Sequence, residues 1–194
     1  MKAMETSKRM SKDQRRSQLL QIAIEIIRSE GTEALTLAHV AEQAGVTKPI
    51  AYEHFGSRSG LLIALYRDYD ERQTEAMRAA LKANGKTIED VVSILSAAYV
   101  DCAVSQGPES GAITAALSAS EEMEDLLQAC RDSFIEDCQQ ALAPFISLSP
   151  QQSHSILVGV LGAAEALSQA AATNRLSHSE AIAALSRIMM GALQ

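Results

Sequence analysis

Helix-start signals punctuate this chain from end to end. Ser11 with Gln14, Ser149 with Gln152 and Ser177 with Glu180 are each a Ser-x-x-Gln/Glu box. In such a box the hydroxyl takes the backbone N–H three residues on, and the third side chain reaches back to the cap. Thr36, Thr47, Ser57 and Thr87 stand at four further helix starts, with Pro49 and Pro150 in first turns, where a missing N–H costs nothing. Gly31, Gly45, Gly56, Gly85, Gly107-Pro108 and Pro144 supply the stops. Between these marks the apolar residues recur at helical spacing, as in Leu19, Leu20, Ala23, Ile26 and Ile27, or in Ile88, Val91, Val92, Leu95, Tyr99 and Cys102. The reading is an all-α chain of about nine helices, the shortest of them near 112–117. Short linkers make it two abutting units rather than tethered domains.

Length and composition agree. A chain of 194 residues, 47% hydrophobic and 21% charged, has enough apolar surface for a real core and is not a disordered segment. Only 4% is aromatic and tryptophan is absent, which favours helix over sheet. The best uncharged apolar run, 156–164, meets Glu165, so the sequence predicts no membrane span and no membrane partner. The N-terminus lacks the apolar stretch of a signal peptide. Three cysteines at irregular spacing form neither a disulfide framework nor a zinc motif, which suggests a reducing cytoplasm.

The net charge of −7 is unevenly spread. Residues 1–60 carry nine Lys/Arg against seven Asp/Glu, and residues 61–194 eight against seventeen. Six cations (Lys2, Lys8, Arg9, Lys12, Arg15 and Arg16) fall within the first sixteen residues. A basic end on an acidic body points that end toward a polyanion, or is a solvated arm.

The stretch from Gly31 to Leu62 narrows the possibilities. Two short helices flank a turn at Gly45, and Leu37, Val40, Ala41, Ala44, Val46, Ala51 and Phe55 are spaced to close a small core around it. That is the pattern of a helix-turn-helix, whose second helix enters a DNA major groove. Here the second helix offers Lys48, Pro49, Ile50, Tyr52 and His54, with only Glu53 acidic.

Gly31, Thr36-Leu37, Val40-Ala41, Ala44-Gly45-Val46-Thr47, Tyr52, His54-Phe55, Ser57-Arg58 and Leu61-Leu62 together resemble the tetracycline-repressor (TetR) family of bacterial transcriptional regulators, over roughly residues 12–65. The sequence departs from the family in Arg58, commonly Lys, in Gly60, near which an acidic residue is usual, and in the sizes of Ile50 and Ala51. The resemblance implies a basic arm (1–11), a helix-turn-helix DNA-binding domain (12–57) and a helical effector-binding and dimerisation domain (58–194). It implies that Thr36, Thr47, Tyr52, His54 and Arg58 hold DNA phosphates, and that Lys48, Pro49 and Ile50 face base edges. It implies a homodimer on a palindromic double-stranded operator, released by an unidentified small-molecule effector, acting in the bacterial cytoplasm at the nucleoid.

For the body, the last two helices supply the expected dimer contact: Leu157, Gly159, Leu161, Gly162, Ala166, Ile182, Leu185 and Met189. The first of them, starting at Pro150, is apolar nearly all round and needs cover on both sides. Pocket candidates are Tyr66, Tyr69, Ser96, Tyr99, Cys102, Met123, Phe134, His154, Glu165 and Gln169. Glu165, a lone acid in an apolar helix, requires a partner, whether a bound cation or a residue across the dimer. Two rivals stand beside this reading. A redox-responsive regulator would use Cys102 with Cys130 or Cys138. Cys130 and Cys138 cannot bridge each other, lying about 12 Å apart along one helix. A helical small-molecule enzyme is the other, but no nucleophile motif, phosphate loop or metal-spaced cluster is present, so neither catalysis nor a cofactor is expected. Whether the regulator represses or activates depends on where its operator lies.

Overall fold

The computed structural model describes residues 10–104 and 121–194, so Lys2, Lys8, Arg9, the Gly107-Pro108 break and the short helix expected near 112–117 lie outside the described residues. Among the described residues there are eight α-helices and no strand: α1 Lys12–Glu30, α2 Leu37–Gln43, α3 Lys48–Phe55, α4 Arg58–Asn84, α5 Ile88–Val104, α6 Glu121–Leu142, α7 Pro150–Ala172 and α8 His178–Ala192. A single 3-10 turn, Thr32–Ala34, joins α1 to α2.

The helix starts form as their side chains require. All three Ser boxes close reciprocally, at α1, α7 and α8. Thr87 and Asp90 make a fourth reciprocal pair at the head of α5: Asp90 N–H donates to Thr87 Oγ1 at 3.2 Å, and Thr87 N–H to Asp90 Oδ2 at 3.0 Å. Each such cap contributes about 1 kcal/mol.

Two hydrophobic clusters organise the described residues. The first joins the α1 stripe, Leu35, Leu37 and Val40, Ala51 and Phe55 of α3, and Leu61, Leu62 and Leu65 of α4. Met123 and Leu126 of α6 complete it, so α6 reaches into the N-terminal unit. The second joins Met77 of α4, Val91, Val92, Leu95 and Val100 of α5, Ile135 and Leu142 of α6, and the inward faces of α7 and α8. Helices α4 and α6 thus contribute to both clusters. Arg78 of α4 clasps Asp137 of α6 with two bonds, at 2.9 and 3.0 Å.

The outer face of α7 and α8 is apolar yet uncovered. Val158 is 50% exposed and Ile188 43%. This qualifies the expectation that no segment is apolar enough for a membrane. Helix α7 meets that criterion by length and composition, because a helix-length window tolerates the one charge that interrupts the run. In the fold, however, α7 packs against α5, α6 and α8, and its Glu165 is ion-paired.

Candidate functional site

Helix α3 is fixed by its buried face and presents the rest. Ala51 and Phe55 are buried in the first cluster. Gly45, at φ +64°, makes the turn from α2, a conformation glycine adopts without penalty. The turn is held by the Val46 N–H donating to Ala41 O at 2.9 Å. Arg16 of α1 lies over the Phe55 ring, 5.5 Å from its centroid, and ties α1 to α3.

The remaining face carries Thr47, Lys48, Pro49 and Tyr52, all exposed. Tyr52 is 52% exposed, with its ring and hydroxyl open to solvent. Thr47 occupies the N-cap position of α3 but makes no side-chain cap bond, so its hydroxyl is not committed to the helix. Thr36, the N-cap of α2, does accept from His39 N–H, at 3.1 Å. Thr36, Thr47 and Lys48 line one shallow groove across the starts of α2 and α3. His54 is half-buried, and its pKa is held below the usual histidine value, first by desolvation and then by the nearby cations Lys12, Arg16 and Arg15, against the raising influence of Glu53. The first turns of α1 thus bring their positive charge close to His54 on α3. Glu53 is partly neutralised by Lys12 at 3.6 Å.

Two residues of this region sit otherwise than expected. Arg58 turns inward: its Nε donates to Leu35 O at 2.9 Å and its Nη2 to Thr32 O at 2.6 Å, so the guanidinium straps the 3-10 turn to the head of α4. Ile50 is half-buried against the first cluster rather than wholly outward. His39, on α2 behind them, is half-buried and pairs with Glu30 at 3.1 Å.

A second concavity lies in the body. Helices α4, α5, α6 and α7 enclose a cavity of about 210 Å³. Of the expected pocket residues, Tyr66, Tyr99, Cys102, Phe134 and Glu165 line it. The other five do not. Tyr69 spends its hydroxyl on Cys102 O, at 3.0 Å. Ser96 is wholly buried with an unpartnered hydroxyl, and Met123 belongs to the first cluster. His154 and Gln169 face outward on α7. The cavity also uses Asp70, Gln73, Thr74, Met77, Ala98, Leu127, Cys130 and Arg131. A periodic signal for part of this set was present: Tyr66, Asp70, Gln73, Thr74 and Met77 share one face of α4, but their polarity makes that face read as solvated.

Glu165 has a partner other than either expected one, since Arg131 of α6 donates to it at 2.9 Å within the same chain. The three cysteines are free thiols. Burial, with Asp70 nearby, pushes the Cys130 thiol up to about 12, and burial with Asp137 raises Cys138 as well. Such thiols are poor nucleophiles at neutral pH.

The expected dimer residues divide by face. Leu157, Leu161, Leu185 and Met189 are buried within the chain's own second cluster, and Ile182 is partly buried against it. Gly159, Gly162 and Ala166 are exposed. Helical spacing alone did not separate the two faces, because α7 is apolar on both.

Comparison with known proteins places the α1–α4 region. Residues 19–65 match the family described as bacterial regulatory proteins, tetR family. The HTH-type transcriptional activator FasR of Mycolicibacterium smegmatis is 35% identical over 74 residues, 38% of this chain and 34% of that protein. The HTH-type transcriptional regulator BetI of Rhizobium meliloti is 33% identical over 85 residues, 44% of this chain and 42% of that protein. The chain therefore matches between about a third and two fifths of the length of these relatives. A solved structure from Rhodococcus sp. RHA1, described as a TetR-like transcriptional regulator, superposes over 93% of this chain and 96% of its own with a TM-score of 0.63. At 21% identity that likeness is one of fold. The named relatives are regulators rather than enzymes.

Proposed function

We propose that this chain, whose residues 19–65 match the tetR family of bacterial regulatory proteins, is a repressor that binds a palindromic operator as a homodimer and is released by a small-molecule effector. The observation that carries the reading is the exposed face of α3. A helix buried through Ala51 and Phe55 turns Lys48, Pro49 and Tyr52 outward beside an uncommitted Thr47 hydroxyl, with the cations of α1 close by. Thr47, Tyr52 and His54 hold phosphates, and Lys48 with Pro49 faces bases, Lys48 donating to guanine. Thr36 meets a phosphate at the start of α2. Arg58 acts by fixing the head of α4, and its remaining guanidinium edge meets the backbone. Ile50 contributes at most a side-on contact to a thymine methyl.

The dimer reading is supported by the uncovered apolar face of α7 and α8, where Val158, Gly159, Gly162, Ala166 and Ile188 lie. A Cβ built on Gly159 or Gly162 meets nothing within 4 Å, which leaves room for a second helix pair. Two such chains about a twofold axis would set their α3 helices about one DNA turn, roughly 34–36 Å, apart. The body cavity takes the effector, and α4 links it to the α3 mount. The protein works in the cytoplasm, at the nucleoid when bound. The test is selection and sequencing of genomic fragments retained by the purified protein. An enriched inverted repeat supports the reading, and no enrichment above bulk DNA refutes it.

A further inference from the structure

The body cavity has a charge pattern that selects what can enter. Three acidic or basic side chains line it: Asp70 of α4, Arg131 of α6 and Glu165 of α7. Arg131 and Glu165 neutralise one another at 2.9 Å, and both are about two-fifths exposed. Asp70 has no such counterion. Among the described residues no ion pair within 4 Å involves its carboxylate. Its hydrogen-bond neighbour is the Cys130 thiol. Arg67, one turn earlier on α4, is exposed to solvent and its charge is felt at Cys130, but it does not line the cavity and makes no ion pair within 4 Å with Asp70. The walls are aromatic and aliphatic. Tyr99 and Phe134 meet edge to face with centroids 5.1 Å apart. Tyr66, Met77 and Leu127 continue the lining. Burial raises both tyrosine pKa values, so their rings are neutral and present electron-rich faces.

An anion entering this space meets an uncompensated carboxylate. To gain a cation it must take Arg131 from Glu165 and leave a second carboxylate unpaired. A neutral hydrocarbon desolvates Asp70 and returns nothing. A cation balances the site and lies against the ring faces. We propose that the cavity binds a small apolar organic cation, an aryl- or alkylammonium whose charge sits at Asp70 and whose hydrocarbon lies along Tyr99, Phe134, Met77 and Leu127. Binding stands on the cavity alone. Only its effect on DNA rests on the regulator reading.

The test is calorimetric titration of the full chain with three ligands of one shape: 1-naphthylmethylammonium, 1-ethylnaphthalene and 1-naphthylacetate. The cation binds at least about tenfold more tightly than the other two. Asp70→Asn lowers the cation's affinity by about tenfold or more and leaves the neutral analogue within about twofold. Asp70→Glu, which keeps the charge, retains the preference for the cation and separates loss of charge from loss of fold. Tightest binding by the acetate, an unchanged Asp70→Asn titration, or no binding by any of the three overturns the proposal. A parallel titration of operator DNA keeps the two readings apart. Asp70-dependent cation binding that leaves DNA affinity unchanged supports the cavity assignment and refutes the ligand-released regulator. Failure to bind DNA at all refutes the regulator without touching the calorimetry.

Discussion

Replacing Gly60 by alanine sets two physical effects against each other at the joint between α3 and α4. Gly60 lies in the first turn of α4, where helix propensity alone favours alanine by about 1 kcal/mol. A Cβ there, however, would stand 2.1 Å from Phe55 O, well inside the 3.0 Å that real Cβ atoms essentially never breach. The obstacle is backbone, so the first turn of α4 must retreat by roughly 1 Å. That retreat strains the Ser57 cap, whose Oγ accepts from Gly60 N–H at 3.0 Å, and the two carbonyl bonds of Arg58 in the same turn. Loss of the cap costs about 1 kcal/mol, and forcing a group into filled space about 1–3 kcal/mol. Net of propensity, the variant is about 1–3 kcal/mol less stable, a fall in Tm of roughly 3–10 °C for a chain of this size. Circular dichroism at 222 nm against temperature reads it. A Tm equal to or above wild type would show that propensity wins and that the packing argument at this joint is wrong. The same geometry accounts for glycine at position 60: a Cβ there would collide with the Phe55 carbonyl.

His54, Gly162 and the cysteines give further predictions. In the free protein the His54 pKa lies below the ordinary 6.5. A phosphate partner raises it, so the complex binds more protons than its parts, and operator affinity rises as the pH falls from about 8 to 6. His54→Asn flattens that profile in fluorescence anisotropy, and an unchanged slope removes His54 from the interface. Gly162→Trp finds open space in the single chain but blocks a closely packed partner. Sedimentation equilibrium should show monomers at concentrations where wild type is dimeric, with helicity unchanged, and a wild-type dimer would put the interface elsewhere. Iodoacetamide at pH 8 should leave Cys130 and Cys138 unmodified in the folded protein and label them in denaturant. Rapid labelling of the native thiols would revive a redox sensor.

What was legible in the sequence was mostly local. The Ser boxes, the Gly45 turn and the inward positions of α1–α3 depend on residues three or four apart, and all form as read. The partners of long-reaching side chains were not legible. Arg58 grips carbonyls 23 and 26 residues away, Glu165 finds Arg131 34 residues away, and Arg78 finds Asp137 59 residues away. Nothing in the sequence spacing encodes such pairs, which depend on how α4, α6 and α7 cross. The cavity was half legible for a related reason: aromatic residues at its rim advertise themselves, whereas Asp70, Gln73 and Thr74 look like a solvated helix face until α5 and α6 cover them. The outer surface of α7 was recognised as needing cover. Which of its two apolar faces the chain covers itself could be told only from the packing.

The central claim is that the exposed face of α3 grips DNA, and the most direct measurement is equilibrium binding of a labelled operator duplex at two salt concentrations, with Tyr52→Ala and Lys48→Ala beside wild type. Wild-type affinity should fall steeply as salt rises, as phosphate neutralisation requires. Tyr52→Ala should weaken binding about tenfold on every sequence, and Lys48→Ala should cost about 1–3 kcal/mol and relax the preference for the operator over an unrelated duplex. Two variants that bind as wild type does at both salt concentrations would contradict the account, since two exposed side chains of the α3 face would then be idle.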